Sequence, residues 1–589
     1  MKIKIKRAIS LALSIILLIV MGNYLINNLY LVYSTVDSWS KVNATTVQPQ
    51  AVGSNGVVVS TQQEASSVGL QVLQDGGNAI DAAVAVGYAL AVTDPCCGNL
   101  GGGGFMLIHL ADGTESFINF RETAPLKAHS QMYLDDRGEL IENLSTDGYL
   151  AVAVPGTVKG LNYALDRYGT MEREQVIEPA IALAEGGFAL QSGDVEIFEA
   201  GQDRLLQPNV AKLFLQDGKK THQVGDVLVQ TDLANTLKVI SQEGTAAFYQ
   251  GEIAKQIVAA SQKNNGILSL EDFASYQVKE YEPISCNYRG YRVASSPPPG
   301  GGTTVCQMLN ILSGYNLKEL GWHTPQSLNR IFSSMLLAFG DRNRYLGDPD
   351  FVDNPTNKLL SAEYAASLRE KIAFAALDPE SIYSTDVQHE GTNTTHYSVV
   401  DKEGNAVAVT YTINSYFGAG VVAPGTGFLL NNEMDDFTSK LGKSNQFGLH
   451  QGSVNLIEPL KRPLSSMSPT IVTKDGQVYL VTGSPGGPTI PTTVLQVITN
   501  VIDYGLGLSE AVNSPRLHYQ GLPNRVVSES QAITPKAFRG LKLRGYSIMP
   551  FISWGAAESI MVNSDRTMIG VNDIADIAFG VCPAFRNNL

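Results

Sequence analysis

The apolar positions of this chain change period along its length, and the changes mark its elements. Residues 64–75 carry a helical repeat that stops at Gly76-Gly77. Asn78 then stands where a helix N-cap belongs, with Asp81 three residues on as its capping-box partner, and opens a second helix over residues 79–92. That helix is apolar on nearly every face, which predicts complete burial. Residues 105–110 and 115–120 read as strands joined through Asp112-Gly113, a strong hairpin signal. Residues 150–280 are mainly helical in pattern, punctuated by Gly and Pro. The Ser-Ser-Pro-Pro-Pro-Gly-Gly-Gly run at 295–302 breaks any regular element, as an ordered loop or a link between lobes. Residues 384–393 are polar and without period, and predict an exposed, mobile segment. Beyond them the pattern turns strand-like, alternating at period two over 397–400 and 406–413. No internal repeat is visible.

Between those last strands, Lys402-Glu403-Gly404 suits a three-residue hairpin loop with Gly at the left-handed position. Pairing Asp401 with Asn405 then sets Thr394 opposite Thr412, two hydroxyls facing each other at a strand end. The inference depends on register, because a slip of one residue turns Thr412 to the other face.

The chain begins differently. Lys2, Lys4, Lys6 and Arg7 precede an apolar run over 8–21, and a weaker apolar stretch follows over 25–33. Residues 1–34 therefore read as a signal peptide, or as a signal anchor retained in the membrane. Either form sends the bulk of the chain outward, to a periplasmic or other extracytoplasmic space. No Cys precedes Cys96, so no lipid-bearing Cys is available near this segment.

Composition narrows the function classes. A length of 589 residues corresponds to about four average domains. Acidic residues number 56 against 42 basic ones, and a net charge of −14 argues against a nucleic-acid binder. Hydrophobic residues make up 44%, enough for a large core, while the 56 glycines imply tight turns and close backbone approach. The five Cys are too few and scattered for a disulfide scaffold, and adjacent Cys96 and Cys97 read as packed thiols. The Gly-rich run 98–104 lacks the Lys-Ser/Thr of a phosphate loop and serves instead a backbone turn or close packing. There is no Gly-x-Ser-x-Gly elbow, no His-Glu-x-x-His and no Cys-x-x-Cys, so neither a metal nor a cofactor is expected.

Seven segments, in this order and spacing, carry a specific likeness. They are Gly76 to Ala83, Gly101 to Phe105, Arg121-Glu122-Thr123-Ala124-Pro125, Thr394 to Asp401, Asn431 to Phe437, Lys461 to Met467 and Gly483-Ser484-Pro485-Gly486-Gly487. Over about residues 57–579 the chain resembles the gamma-glutamyltransferases (gamma-glutamyltranspeptidases) of the N-terminal nucleophile hydrolase superfamily. The resemblance implies an α+β fold, a four-layer αββα sandwich. It also implies a precursor that cuts itself between Asn393 and Thr394. The products are a large chain, 35–393, and a small chain, 394–589, which stay together as a heterodimer.

The same likeness assigns roles. Thr394 becomes the N-terminal nucleophile, Thr412 holds its hydroxyl, and Gly486 and Gly487 form the oxyanion hole. Arg121, Ser465 and Ser466 take the donor's α-carboxylate, and Asn414, Glu433 and Asp436 its α-ammonium. Donors are gamma-glutamyl amides such as glutathione, and acceptors are water, amino acids or peptides. Three features depart from the family pattern. Phe447 stands in the 442–452 loop where many relatives place a lid Tyr, which puts the lid's closing hydrogen bond in question. Residues 572–576 lack an Arg, which does the same for a local salt bridge, and the Cys96-Cys97 pair is atypical. The rival within the class is an acylase for glutaryl-cephalosporin amides or a relative acting on poly-gamma-glutamate. An ammonium pocket argues against the first. Retention of Thr394, Thr412 and the paired glycines argues against an inactive binding protein.

Overall fold

A computed structural model describes residues 50–382, 394–551 and 554–573. The segments expected at 1–34 and 384–393, with Asn393, lie outside the described residues. The chain divides into two units, Met1–Gln48 and Pro49–Leu589, so the four domains that length suggests do not form. The reason lies in the strand pairing. Gln50–Gly53 pairs with Met568–Val571, so the first and last strands of the described residues share one ladder. Among the described residues no helix is long and apolar enough to cross a membrane.

Two large antiparallel sheets stack face to face. The six-stranded sheet runs, in spatial order, Gly56–Ser60, Thr395–Asp401, Ala406–Thr412, Gly103–His109, Glu115–Asn119 and Lys279–Tyr281. Its centre is the expected hairpin in the expected register, with Thr395 opposite Tyr411 and the Asp401 N–H donating to the Asn405 carbonyl at 3.0 Å. The seven-stranded sheet has Gln477–Thr482 and Thr470–Lys474 at its middle, beside Tyr291–Ser295. Val57, Val59, Leu107 and Ala408 from the first sheet meet Ile471, Val481 and Ile560 from the second in a thin apolar layer.

Helices cover both outer faces, completing the αββα sandwich. Ala79–Thr93 lies on the six-stranded sheet and is buried at every position, as its all-round apolar sequence predicts. Its cap forms as read, with the Asn78 side chain accepting from the N–H groups of Ile80 and Asp81, and the Asp81 carboxylate accepting from the Asn78 N–H. Gly302–Leu312, Pro325–Tyr345 and Ile490–Ile502 cover the other sheet. The strands Thr395–Asp401 and Ala406–Thr412 alternate face by face, yet both faces are buried. Tyr397, Val399, Val407 and Val409 pack on the helices, while Ala406 and Ala408 face the second sheet. Thr394 and Thr412 stand at the same ladder end, on the inter-sheet side.

Candidate active site

The site grows from that strand end. The Thr394 hydroxyl donates to Thr412 Oγ1 at 3.3 Å, and Thr412 Oγ1 also accepts the Asn414 N–H at 2.8 Å. Asn414 leaves the strand at a φ of 77°, a left-handed angle steadied by its own Nδ2 donating to the Asn432 carbonyl at 3.1 Å. The glycine run explains itself here as close packing. A Cβ on Gly102 would lie 1.9 Å from the Thr412 carbonyl oxygen, and one on Gly101 would lie 2.0 Å from that of Leu429. Gly486 and Gly487 sit on the far side at φ 128° and 53°, angles that L side chains rarely adopt. Gly487 reaches the cavity wall.

Arg121 follows the strand Glu115–Asn119 and is almost wholly buried. Its Nη1 donates to Glu433 Oε1, and its Nη2 to Asp436 Oδ2 at 2.5 Å. Nε donates to the Pro463 carbonyl at 3.3 Å, and Glu122 Oε2 lies 3.6 Å from Nη1. Glu433 to Asp436 form one turn of 3-10 helix, which brings both carboxylates to one side. The sequence suggested a guanidinium and two acids each awaiting a part of the donor; in the folded chain they answer one another. A charge in a water-excluded cavity is too costly to leave alone, so these groups pair. Burial raises the carboxyls of Glu433, Asp436 and Glu122 above the usual range, and the Arg121 charge opposes it.

Ser465 and Ser466 arrive on an extended segment held from below. The Ser465 N–H donates to the Pro299 carbonyl at 2.7 Å, and the Gly301 N–H to the Met467 carbonyl at 2.9 Å. The Pro- and Gly-rich run is thus an ordered, buried loop that carries the serines, not a link between lobes. Thr394, Thr412, Asn414 and Gly487 line one cavity of about 20 Å³, together with Arg121, Glu433, Asp436, Ser465 and Ser466. That volume suits about one water molecule. Arg342, Leu449, Pro488 and Ile490 also line the wall, beside Phe447 and Met467, and were not read from the sequence. No local signal marked Arg342, which ends an ordinary helix.

The 442–452 loop closes over this cavity without a tyrosine. Phe447 packs with Phe339 and Leu449, and Gln520 Nε2 donates to the carbonyls of Phe447 and Gly448 at 3.2 Å each. Asn445 Nδ2 donates to Asp436 Oδ1 at 3.4 Å, tying the loop to the acid pair. Near the C-terminus Asp573 pairs with Arg516 and accepts the Ala557 N–H at 2.8 Å, whereas the bridge that the missing Arg puts in question falls on positions outside the described residues.

The cysteines correct the sequence reading. Cys96 and Cys97 are joined to each other rather than packed as thiols, and Cys286 is joined to Cys306. The turn holding Cys96 and Cys97 buttresses the site through its backbone: the Ile413 and Phe417 N–H groups donate to the Cys97 and Cys96 carbonyls, on either side of Asn414. Asp94 beside them is pushed up to about 7 by burial, against hydrogen bonds from Thr395 and Thr61. Asp94, Cys96 and Cys97 are close enough to hold a metal ion, but the two sulfurs are spent on each other.

Known proteins resemble this chain in sequence and in fold. The family model described as Gamma-glutamyltranspeptidase matches residues 65–577. A glutathione hydrolase proenzyme of Pseudomonas sp. (strain A14) is 52% identical over 493 residues, covering 82% of this chain and 84% of that protein. A protein of the same description from Escherichia coli (strain K12) is 46% identical over 523 residues, covering 88% and 90%. Among solved structures, a cephalosporin acylase from Bacillus halodurans superposes with a TM-score of 0.80 at 28% identity, covering 92% of this chain and 98% of its own. With its strand-end threonine pair, its buried Arg121–Glu433–Asp436 cluster and a family match over most of its length, the chain belongs to the gamma-glutamyltranspeptidase family, on the N-terminal nucleophile hydrolase fold.

Proposed function

We propose that this chain is a self-processing gamma-glutamyltransferase and glutathione hydrolase, with Thr394 as its nucleophile. One observation carries the reading: a strand-end hydroxyl pair and a buried Arg–Glu–Asp cluster share one cavity. In the intact chain the Thr394 nitrogen is an amide and cannot act as a base. Attack of its hydroxyl on the Asn393 carbonyl breaks the Asn393–Thr394 C–N bond, giving an ester and freeing an α-amine of intrinsic pKa about 7.7–8; hydrolysis of that ester then releases the Asn393 carboxylate and restores the Thr394 hydroxyl. The amine then takes the hydroxyl proton as Thr394 Oγ1 attacks the donor's γ-carbonyl. Backbone N–H groups of Gly486 and Gly487 meet the oxyanion, where one donor is worth about 2.7–4 kcal/mol. The amine passes its proton to the leaving amine, and water, an amino acid or a peptide resolves the gamma-glutamyl ester.

The charge cluster suits a zwitterionic donor head. The α-carboxylate takes guanidinium N–H groups and the Ser465 and Ser466 hydroxyls. The α-ammonium takes Glu433, Asp436 and Asn414, so that no charge is left buried alone. Entry requires the 442–452 loop to lift, since the closed cavity has no room for an acyl group. The two fragments remain together as a heterodimer, because strands from both form each sheet. Export is supported by the four cations ahead of the 8–21 apolar run.

Intact mass of purified protein and release of chromophore from a gamma-glutamyl anilide test this reading together. Two fragments split at Asn393–Thr394 and hydrolysis of the anilide are expected. Thr394→Ala should give one uncut chain without activity, and two fragments of normal size from that variant would sink the assignment. A glutaryl anilide, lacking the ammonium, should be a poor substrate because it leaves two carboxylates facing a methylene. Equal kcat/KM for the two anilides would favour the acylase rival.

A further inference from the structure

Resting on that functional reading, we infer that Arg342 is a positioning residue for the donor's α-carboxylate, acting through the hydroxyl of Ser466. Arg342 stands in the last turn of the helix Pro325–Tyr345, where a cation ordinarily faces water. Arg344, two residues on, does so; Arg342 is instead 1% exposed and lines the cavity that holds Thr394. Its Nη1 donates to Asn343 Oδ1 at 2.8 Å and its Nη2 to Ser466 Oγ at 3.1 Å. Its charge also acts on Asp436, against the upward push of burial on that carboxyl.

Charge and hydrogen-bond direction both tie this geometry to the role. Glu433 and Asp436 already engage both Nη atoms of Arg121 and Glu122 lies 3.6 Å from Nη1, so a donor carboxylate arriving there would add a further anion to a crowded guanidinium. Among the side chains that line the cavity, Arg342 and Arg121 then stand against Glu433 and Asp436, two groups of each sign, which suits a donor head that is itself a neutral zwitterion. A guanidinium only donates, so Ser466 Oγ is the acceptor of that contact and its single proton is left to donate elsewhere. Arg342 thereby fixes Ser466 as a donor toward the cavity and polarises it.

The test compares a gamma-glutamyl anilide with its counterpart in which the α-carboxylate is replaced by a neutral carboxamide and the ammonium is kept. Arg342→Gln and Arg342→Lys are assayed after intact mass confirms cleavage. For Arg342→Gln the KM for the gamma-glutamyl donor should rise about tenfold or more with kcat little changed, as for loss of a charged contact. The carboxamide donor should change by less than about twofold on the same argument. Arg342→Lys, which keeps the charge but not the fork, should fall between, and it carries the comparison if the Gln variant fails to mature. Where the carboxamide turns over too slowly, its Ki against the gamma-glutamyl donor reads the same contrast. Equal losses on both donors, or a loss confined to kcat, would overturn the inference and leave Arg342 a packing residue. A wild-type enzyme inactive on the gamma-glutamyl anilide would instead overturn the functional reading.

Discussion

Thr412 offers one oxygen to two donors, the Thr394 hydroxyl at 3.3 Å and the Asn414 N–H at 2.8 Å. Thr412→Val keeps the shape and deletes that acceptor, leaving a buried N–H unpaired and the nucleophile's rotamer unheld. A lost hydrogen bond of this kind is worth about 0.5–1.5 kcal/mol, and an orphaned buried partner about 1–3 kcal/mol. The variant should therefore lose about tenfold or more in kcat, with KM little moved and slower cleavage by mass, while Thr412→Ser should retain most activity. A valine variant with normal kcat would remove Thr412 from the site. Arg121 answers to a different measurement. A lysine ammonium is a point charge and cannot reach Glu433 and Asp436 at once, so Arg121→Lys should lower kcat/KM for gamma-glutamyl donors about ten- to hundredfold. An unchanged value would show that the fork is not used.

The elements that position these residues were largely legible one by one, because their signals are local. Asn78 accepts from Ile80 and Asp81, and the Asp81 carboxylate reaches back to the Asn78 N–H and on to Thr170 and Met171. Such a cap is worth about 1 kcal/mol, so Asn78→Ala should lower the unfolding free energy by about that amount. Denaturant titration of the two proteins reads it directly, and equal midpoints with equal slopes would deny the cap any part in stability. The loop over the cavity shows the limit of such signals. Its closure rests on Phe447 meeting Phe339, more than a hundred residues earlier, and on Gln520 holding two of its carbonyls. Where the family resemblance led one to expect a hydroxyl, the loop offers apolar packing, and nothing within the loop itself announces that.

Across the whole molecule, the buried carboxyl of Asp94 ties stability to pH. Burial holds its folded pKa up to about 7, whereas an unfolded Asp titrates near 3.9. Below about pH 4 both states carry the proton and the contribution is fully present. As pH rises from about 4 to 7 the unfolded chain sheds its proton first, and stability falls by up to about 1.4 kcal/mol per pH unit from this group. Asp94→Asn removes that slope. The stability difference between variant and parent should then move in the variant's favour between pH 4.5 and 7, as read by urea unfolding at both values. A difference that does not move would mean that Asp94 is ionised in the folded chain.

By itself the sequence determined the helix over residues 79–92 and its cap, the hairpin about Lys402-Glu403-Gly404, and the register that puts Thr394 opposite Thr412. Each follows from residues within about twenty positions of one another, where turn geometry and period-two alternation leave one arrangement. The tertiary structure alone decided how the charges are shared. Arg121 meets Glu433 and Asp436 across 312 and 315 residues, Ser465 hangs from the Pro299 carbonyl, and Arg342 turns inward to Ser466. The same holds for Cys96 and Cys97, adjacent in sequence yet bonded to each other inside a turn that braces Asn414. Local pattern fixes which face a side chain takes. Whether that face is wet or sealed, and which opposite charge must then be found for it, depends on chain that folds in from elsewhere, because desolvation is a property of the packed whole.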